Sequence, residues 1–251
     1  MKFPSVSIFF LFAASSLCDA AVVAPALAGA EPKPCVILLH GLARTTSSMN
    51  KMEDLLSDAG YFVRNTAYPS REKPIDELAA EVIPAAIEGC TAVGAQPIHF
   101  VTHSLGGILI RYYLETNDLE DLGRVVMLSP PNQGSEIVDK ISGIPGYEIV
   151  NGPAGMELGT DEDDVPLQLG PAEFDVGIIT GSRSINLILS LLIPGDDDGK
   201  VSIERARLEG MADFLIVPHS HPFIMKSTEV IRQVIFFIEH GRFDTDESAK
   251  Y

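Results

Sequence analysis

The sequence predicts an α/β fold, a single domain in which helices cover both faces of a mostly parallel central sheet. From Cys35 onward, short apolar segments alternate with longer segments whose apolar residues recur at helical spacing, which is typical of such folds. The chain has 251 residues, of which 46% are hydrophobic and 21% are charged. This composition provides enough apolar side chains for one large core.

Six short segments are rich in the β-branched and aromatic residues that favour strands. They are Val36 to Leu39, Tyr61 to Asn65, Ile98 to Thr102, Arg124 to Leu128, Val176 to Thr180 and Phe214 to Val217. Five further segments predict helices, with glycines 60, 89, 210 and 241 as stop signals. These segments are Ser48 to Ala59, Ile75 to Glu88, Leu105 to Glu115, Ile203 to Glu209 and Ser227 to His240.

Two stretches depart from this alternation. Pro84 should kink or divide the second predicted helix, because proline has no backbone N–H to donate. Residues 130–173 are rich in glycine, proline and acidic residues and have no sustained period. We expect an insertion or short cap over about residues 130–194, and insertions of this kind often cover functional sites. The apolar residues 185–193 within it fit either a core helix or an apolar surface near a pocket.

The N-terminal residues 1–28 resemble a secretory signal peptide. Lys2 precedes a strongly apolar run over residues 8–13, and small residues around Ala28 suit cleavage there, with Ala20 as an alternative. A retained membrane anchor is the other interpretation, but the apolar run is shorter than the roughly 20 residues that span a bilayer. We therefore expect a secreted or periplasmic protein.

Cleavage would leave Cys35 and Cys90 as the only cysteines. In an oxidising compartment this pair suits a disulfide, although two buried thiols fit the sequence equally well because spacing does not give distance.

The net charge of −17 argues against a nucleic-acid partner, since such binding depends on clustered lysines and arginines. The cysteines and histidines lack zinc-ligand spacing, and the acidic runs lack the alternating ligands of a calcium loop. The sequence also has no glycine-rich phosphate-binding loop. We expect neither a metal nor another cofactor.

Ser104 is the candidate nucleophile. It lies between a predicted strand and a predicted helix, where a sharp turn would expose its hydroxyl near the helix N-terminal amides. Gly106 and Gly107 suit the close approach that this turn requires. Thr102 departs from the usual G-x-S-x-G pattern, because a β-branched residue replaces the first glycine.

The first predicted strand ends at His40-Gly41-Leu42. A backbone amide here can join the amide after the nucleophile to bind an oxyanion, which predicts Leu42 and Leu105 as the two donors. An ordinary strand exit is the alternative. His40 itself suits orienting the loop better than receiving a proton.

A carboxylate and a histidine follow Ser104 in the order in which a Ser-Asp-His triad occurs on this class of fold. Asp198 is the favoured acid, because it precedes Gly199 at the sharpest part of a turn. Asp196 and Asp197 suit solvation or capping of the next helix. His221 is favoured as the base, and His219 remains the alternative.

Together these residues resemble the α/β-hydrolase superfamily, and more narrowly its bacterial lipase and esterase branch, from about Pro34 to Phe243. The motifs that carry the resemblance are His40-Gly-Leu42, Thr102-His-Ser-Leu-Gly106, Leu128-Ser-Pro-Pro-Asn-Gln-Gly-Ser135, Asp197-Asp-Gly-Lys-Val201 and His221.

The resemblance implies an α/β-hydrolase fold and a catalytic triad of Ser104, Asp198 and His221. It also implies an ester hydrolase that acts through an acyl-enzyme on a small-molecule or lipid ester, with transient contact to a lipid interface. Residues 130–135 are similar to a segment that borders the acyl site in such enzymes, and a polar turn without substrate contact is the alternative. Short and medium acyl esters are the expected substrates.

Two other functions remain open at this stage. Acyl transfer to an alcohol would use the same acyl-enzyme. A non-catalytic binding protein on a hydrolase fold would normally lack part of the triad, whereas this sequence contains every part.

Overall fold

The computed structural model describes residues 33–185 and 193–245. Its centre is a six-stranded sheet in the order β2-β1-β3-β4-β5-β6, and every neighbouring pair is parallel. The predicted parallel sheet is thus confirmed, and each strand begins and ends within two residues of its predicted bounds. The strands are β1 Cys35–Leu39, β2 Phe62–Thr66, β3 Ile98–His103, β4 Leu122–Leu128, β5 Val176–Gly181 and β6 Asp213–Val217.

Helices pack on both faces of the sheet, because alternate side chains of each strand point to opposite sides. Ile37 and Leu39 of β1 lie in a core with α2 and α3, whereas Val36 and Leu38 lie in a second core with α1 and α8. The helices are α1 Asn50–Asp58, α2 Ile75–Thr91, α3 Leu105–Thr116, α4 Glu136–Ile141, α5 Tyr147–Met156, α6 Val165–Gln168, α7 Ile203–Ala206 and α8 Thr228–His240, with 3₁₀ turns at Thr46–Ser48 and Ile224–Lys226.

The strand order reverses direction at the carboxyl ends of β1 and β3. The chain moves from β1 to β2 on one side and then crosses back to β3 on the other, so the connections after β1 and β3 diverge. Ligands of open parallel sheets bind outside the carboxyl ends of the strands at such a reversal. His40 to Leu42 follow β1, and Ser104 follows β3.

Pro84 does not divide α2, which runs from Ile75 to Thr91. Pro84 is exposed, while Ile83 and Ala86 beside it are fully buried. Burial of the flanking apolar residues therefore outweighs the missing hydrogen bond. Gly89 does not end this helix either. A Cβ atom at this position would lie 2.8 Å from the Arg64 guanidinium, so glycine leaves space for that side chain.

Two predicted helices are shorter than expected. The helix predicted from Ser48 begins at Asn50, after the 3₁₀ turn. The helix predicted to reach Glu209 ends at Ala206, because Arg207 has extended backbone angles.

The insertion between β4 and β5 contains more regular structure than its composition predicts. It holds α4, α5 and α6, and α5 is kinked at Gly152, where φ is 68°. These helices are short, which explains why no sustained period is visible in the sequence. Predictions for the signal peptide and for most of residues 185–193 lie outside the described residues.

A disulfide joins Cys35 at the start of β1 to Cys90 near the end of α2, with the Cα atoms 5.9 Å apart. It ties a central strand to the longest helix packed against it. Within residues 33–185 and 193–245, none of the helices is long and apolar enough to cross a membrane.

Candidate active site

Ser104 occupies a strained turn between β3 and α3. Its φ of 52° and ψ of −119° are rarely adopted by residues other than glycine, and such a conformation costs on the order of 1–3 kcal/mol. The Ser104 N–H donates to the Leu128 carbonyl at 2.9 Å, and the Gly107 N–H donates to the Ser104 carbonyl at 2.9 Å. The surrounding backbone therefore holds the strand-turn-helix geometry that the sequence predicts for a nucleophile.

Glycines allow α3 to approach the sheet closely. A Cβ atom on Gly106 would lie 2.7 Å from the Leu39 carbonyl oxygen, so a larger residue would push α3 away from β1. Gly107 faces Thr102, whose Oγ1 would be 3.3 Å from a Cβ at that position. The extra bulk of Thr102 is therefore accommodated by the glycine opposite it on α3.

The loop after β1 packs directly against Ser104. A Cβ atom on Gly41 would lie 3.3 Å from Ser104 Cβ, so this loop and the serine turn are in contact. The Ala43 N–H donates to Ser70 Oγ at 3.1 Å, and the Arg44 N–H donates to the Gly41 carbonyl at 3.2 Å. These bonds give a defined conformation to the segment that contains Leu42.

The two predicted oxyanion donors lie on these adjoining segments. Leu105 is the first residue of α3, and the first amides of a helix have no acceptor within the helix. Leu42 lies on the loop that touches Ser104. A helix N-terminus also favours negative charge beside it.

His40 supports the loop and remains neutral. Its ring stacks on Tyr68, with centroids 4.1 Å apart and planes within 5°. The Tyr68 hydroxyl donates to the His40 carbonyl. Burial lowers the pKa of His40 and raises that of Tyr68, so both side chains stay uncharged. This arrangement is structural, as the sequence analysis expected.

Asp198 and His221 form a buried pair. His221 Nδ1 lies 2.8 Å from Asp198 Oδ2, and the backbone N–H of His221 donates to the Asp198 carbonyl at 2.8 Å. The other carboxylate oxygen, Oδ1, accepts from the amides of Lys200 and Val201 at 3.0 and 2.9 Å. Burial acts to raise the pKa of Asp198, but the His221 imidazole and these hydrogen bonds outweigh it, so the pKa is lowered and the carboxylate stays ionised.

The alternative acids and base lie elsewhere. Asp196 is exposed, and Asp197 Oδ1 accepts from the Gly199 amide at 2.6 Å. Neither caps α7, because the Ser202 hydroxyl caps that helix by accepting from the Arg205 amide. His219 Nε2 lies 3.9 Å from Glu229, on the side of the loop near α8. Among these candidates, Asp198 and His221 are the two that the structure pairs.

His103 was not singled out by the sequence analysis. It is fully buried directly before Ser104, and its Nε2 lies 3.0 Å from the His221 carbonyl, to which the N–H donates. The rings of His103 and His221 have centroids 4.8 Å apart. Burial and the neighbouring His221 hold the pKa of His103 well below its usual range, so it is neutral. Its position next to the candidate nucleophile was the available sequence signal.

The segment 130–135 is tied to the rest of the molecule through Asn132. The buried Arg111 guanidinium of α3 donates to the Asn132 carbonyl at 2.8 Å and to the Leu169 carbonyl at 3.1 Å. Asn132 Nδ2 donates to the Ala206 carbonyl at 2.9 Å, and Ser135 Oγ donates to the Lys200 carbonyl at 2.8 Å. This segment thus connects α3, the insertion and the loop that contains Asp198.

A metal centre is not evident in the part of the chain that the structure describes, where groups of three or more potential ligands are absent.

Comparison with solved structures identifies the fold. The mature form of the lipase BlEst2 from Bacillus licheniformis matches 86% of this chain and 96% of its own length, with a TM-score of 0.67 and 20% identity. The chain has the α/β-hydrolase fold. Phospholipase PlaB from Legionella pneumophila matches 76% of this chain with a TM-score of 0.61 and 16% identity. This chain spans about half of PlaB, 53% of its length.

The α/β-hydrolase fold also includes a bromoperoxidase from Bacillus anthracis, which matches 83% of this chain and 92% of its own length with a TM-score of 0.51 and 13% identity. No protein-family model matches the chain, and no curated protein matches it in sequence. Because one fold supports different chemistries, the function has to be argued from the site.

Proposed function

We propose that this chain is a secreted serine hydrolase that cleaves carboxylic esters, with Ser104 as nucleophile, His221 as base and Asp198 as acid. The observation that carries the proposal is the buried 2.8 Å contact between His221 and Asp198 at the edge of the sheet where Ser104 also lies. The three residues follow β3, β5 and β6, whose carboxyl ends meet at that edge because the strands are parallel.

His103 supports the proximity of the nucleophile and the base. It is the neighbour of Ser104 in the chain, and its ring lies against that of His221. The hydrogen bond from its Nε2 to the His221 carbonyl links the two segments across the site.

The proposed reaction begins when Ser104 Oγ attacks the ester carbonyl and its proton passes to His221 Nε2. Asp198 accepts a hydrogen bond from Nδ1–H, which leaves Nε2 free to take that proton and stabilises the imidazolium. The amides of Leu42 and Leu105 stabilise the oxyanion. His221 then protonates the departing alcohol, and water hydrolyses the acyl-enzyme to release the carboxylic acid and free Ser104.

Secretion is supported by the sequence of residues 1–28 and by the disulfide between Cys35 and Cys90, since disulfides persist in oxidising compartments. The substrates we propose are short and medium acyl esters of small-molecule or lipid alcohols. Transient contact with a lipid interface would suit the lipid esters.

The direct test is the turnover of 4-nitrophenyl esters by the purified mature protein and by Ser104→Ala. We expect the variant to lose at least about 10³-fold in kcat, because the nucleophile is absent. A fluorophosphonate probe should label the native protein on Ser104. Full activity of Ser104→Ala, or a folded protein that the probe does not label, would refute the proposal.

The acid is tested by Asp198→Asn, with Asp196→Asn as the matched control on the same turn. We expect kcat to fall by about 10³- to 10⁴-fold in the first, because the imidazole loses its orientation and its charged partner. The exposed control should retain its activity. Equal losses in both variants would argue against Asp198.

Product analysis with an added alcohol separates hydrolysis from acyl transfer. Acyl transfer predicts a new ester as the main product, whereas hydrolysis predicts the free acid.

A further inference from the structure

Ser135 joins the segment after β4 to the loop that contains Asp198. Its hydroxyl oxygen lies 2.8 Å from the Lys200 carbonyl oxygen, to which the hydroxyl donates. Ser135 is 7% exposed and has an extended backbone directly before α4. The proposed reaction does not use this hydroxyl, so its bond to the Asp198 loop calls for an explanation of its own.

The carbonyl that accepts this bond belongs to the same peptide unit as the Val201 N–H. That N–H donates to Asp198 Oδ1 at 2.9 Å. Because a trans peptide is planar, its carbonyl and its N–H point in opposite directions. Ser135 therefore binds one side of the peptide unit, and the Asp198 carboxylate is bound on the other side. A continuous series of hydrogen bonds runs from Ser135 through this peptide and Asp198 to His221.

The orientation of this peptide matters because it lies in a tight glycine turn around a buried charge. Gly199 has a φ of 101°, which glycine adopts more readily than any other residue. The Asp198 N–H closes the turn by donating to the Val201 carbonyl at 3.2 Å. Rotation of the Lys200–Val201 peptide would turn its N–H away from the fully buried carboxylate, and a buried charge that loses a donor is costly. The bond from Ser135 opposes that rotation.

Ser135 is itself held from the side away from the turn. Its N–H donates to the Leu158 carbonyl in the insertion at 2.9 Å. The next residue, Glu136, accepts a hydrogen bond from Arg205 Nε at 2.9 Å, which joins the same segment to α7. The hydroxyl therefore reaches the turn from a segment whose position is fixed by two other parts of the fold.

We propose that Ser135 is a positioning residue for the acid Asp198, which it keeps oriented by binding the Lys200–Val201 peptide. The inference rests on the proposed esterase function and extends its site to a residue outside the triad. Hydrogen bonds in series polarise one another, so donation to the carbonyl also strengthens the N–H on the other side of the peptide. The carboxylate is thereby kept in the orientation in which it meets His221 Nδ1 at 2.8 Å.

A pair of isosteric variants isolates the hydrogen bond from packing. Threonine and valine have nearly the same shape, but threonine alone has a hydroxyl, and the extended backbone at position 135 suits both. With 4-nitrophenyl esters, we expect kcat of Ser135→Val to be about 3- to 10-fold below that of Ser135→Thr, the factor that one neutral hydrogen bond contributes. KM should be similar, because the bond orients the acid and does not bind substrate.

Ser135→Ala removes the hydroxyl without adding volume, and Ser48→Ala is its matched control. Ser48 is also 7% exposed, and its hydroxyl donates to the Thr45 carbonyl at 2.7 Å, which is not part of the Asp198 turn. We expect kcat of Ser135→Ala to fall about 3- to 10-fold with KM unchanged, again the size of one hydrogen bond. The control should keep the native kcat.

Nuclear magnetic resonance gives a readout that does not depend on turnover. In ¹⁵N-labelled protein, the amide resonance of Val201 and the low-field resonance of the His221 Nδ1–H report the bonds to the two oxygens of Asp198. We expect both resonances to shift in Ser135→Ala and neither to shift in Ser48→Ala. A purely structural role for Ser135 would lower the free energy of unfolding and leave both resonances in place.

The outcomes separate the two proposals. If Ser135→Ala keeps the native kcat, if the threonine and valine variants have equal kcat, or if the two resonances do not shift, the positioning role is refuted and the esterase function stands. If the native protein hydrolyses no 4-nitrophenyl ester and the fluorophosphonate probe does not label it, the esterase function fails and the positioning role fails with it.

Discussion

Three residues at this site have a backbone conformation or a degree of burial that is unusual for their residue type. Ser104 has a backbone conformation that costs on the order of 1–3 kcal/mol, which the hydrogen bonds to Leu128 and Gly107 help to offset. Asp198 is a fully buried carboxylate kept ionised by His221 and two backbone amides. His103 is a buried, neutral histidine that holds the His221 backbone. Of these three features, the backbone conformation of Ser104 is the one that costs folding free energy.

The hydrogen bond from His103 to the His221 carbonyl gives a prediction about the proposed base. His103→Phe removes the donor to the His221 carbonyl, so we expect kcat for a 4-nitrophenyl ester to fall about 10-fold with little change in KM, because only the alignment of the base is disturbed. His103→Gln keeps an N–H donor and should recover most of the loss. The kinetics are measured across pH, since a misaligned base also changes the pH profile of kcat.

His103→Phe and His103→Gln are matched in being uncharged, as the buried His103 is. If both variants have the native kcat and pH profile, the hydrogen bond to His221 has no part in positioning the base. If both lose stability and activity equally, His103 acts through packing alone.

Among the secondary-structure elements, α3 sets the position of Ser104 through its distance from the sheet. Gly106 permits contact with β1, and Gly107 leaves space for Thr102 of β3. Seven residues at the start of α3, Leu105 to Arg111, are buried, which makes this helix part of the core rather than a surface element. A change in its distance from β1 would therefore move both Ser104 and the Leu105 amide.

This packing predicts that Gly106→Ala is harmful. The added methyl group would lie 2.7 Å from the Leu39 carbonyl, so we expect a loss of about 1–3 kcal/mol in the free energy of unfolding and reduced kcat as α3 shifts. Gly143→Ala is the matched control, because a Cβ atom there meets nothing within 4 Å. Urea unfolding and ester turnover measure the two effects. Equal behaviour of the two variants would contradict the proposed close packing of α3.

For the whole molecule, buried histidines connect stability to pH. His40, His99 and His103 all have lowered pKa values, chiefly because burial disfavours their charged forms. His99 is 6% exposed, its Nδ1 accepts from the Arg124 amide at 2.8 Å, and its pKa falls to about 4. Between about pH 6.5 and pH 4, His99 therefore binds fewer protons in the folded protein than in the unfolded chain. Within that range, the contribution of His99 to stability decreases as the pH falls.

We expect His99 alone to lower the free energy of unfolding by about 2 kcal/mol between pH 7 and pH 5. His99→Gln cannot be protonated and still offers an acceptor to the Arg124 amide, so it should reduce this pH dependence by a similar amount. His240→Gln, an exposed position at the end of α8, is the control. Urea unfolding at several pH values provides the measurement, and equal slopes for His99→Gln and the native protein would contradict the expectation.

Periodicity and residue type were sufficient to predict the sheet, since β-branched segments between amphipathic helices have few other ways to bury their apolar side chains. The same reasoning was wrong at Gly89, which does not end α2, and at Pro84 in so far as it predicted a divided helix, because the packing of α2 against the core outweighs these local preferences. The insertion was predicted only by its lack of pattern. Helices as short as α4 and α6 depend on tertiary contacts, which a local pattern does not contain.

The sequence by itself determined the α/β fold, the candidate Ser104 and the order of serine, acid and histidine, because these depend on residue type and position along the chain. Only the tertiary structure decided that His221 rather than His219 meets Asp198, that Thr102 is accommodated by Gly107, and that Cys35 is bonded to Cys90. It also revealed the contact of His103 with His221. These facts depend on distances between segments far apart in the chain, which follow from packing of the whole sheet and its helices.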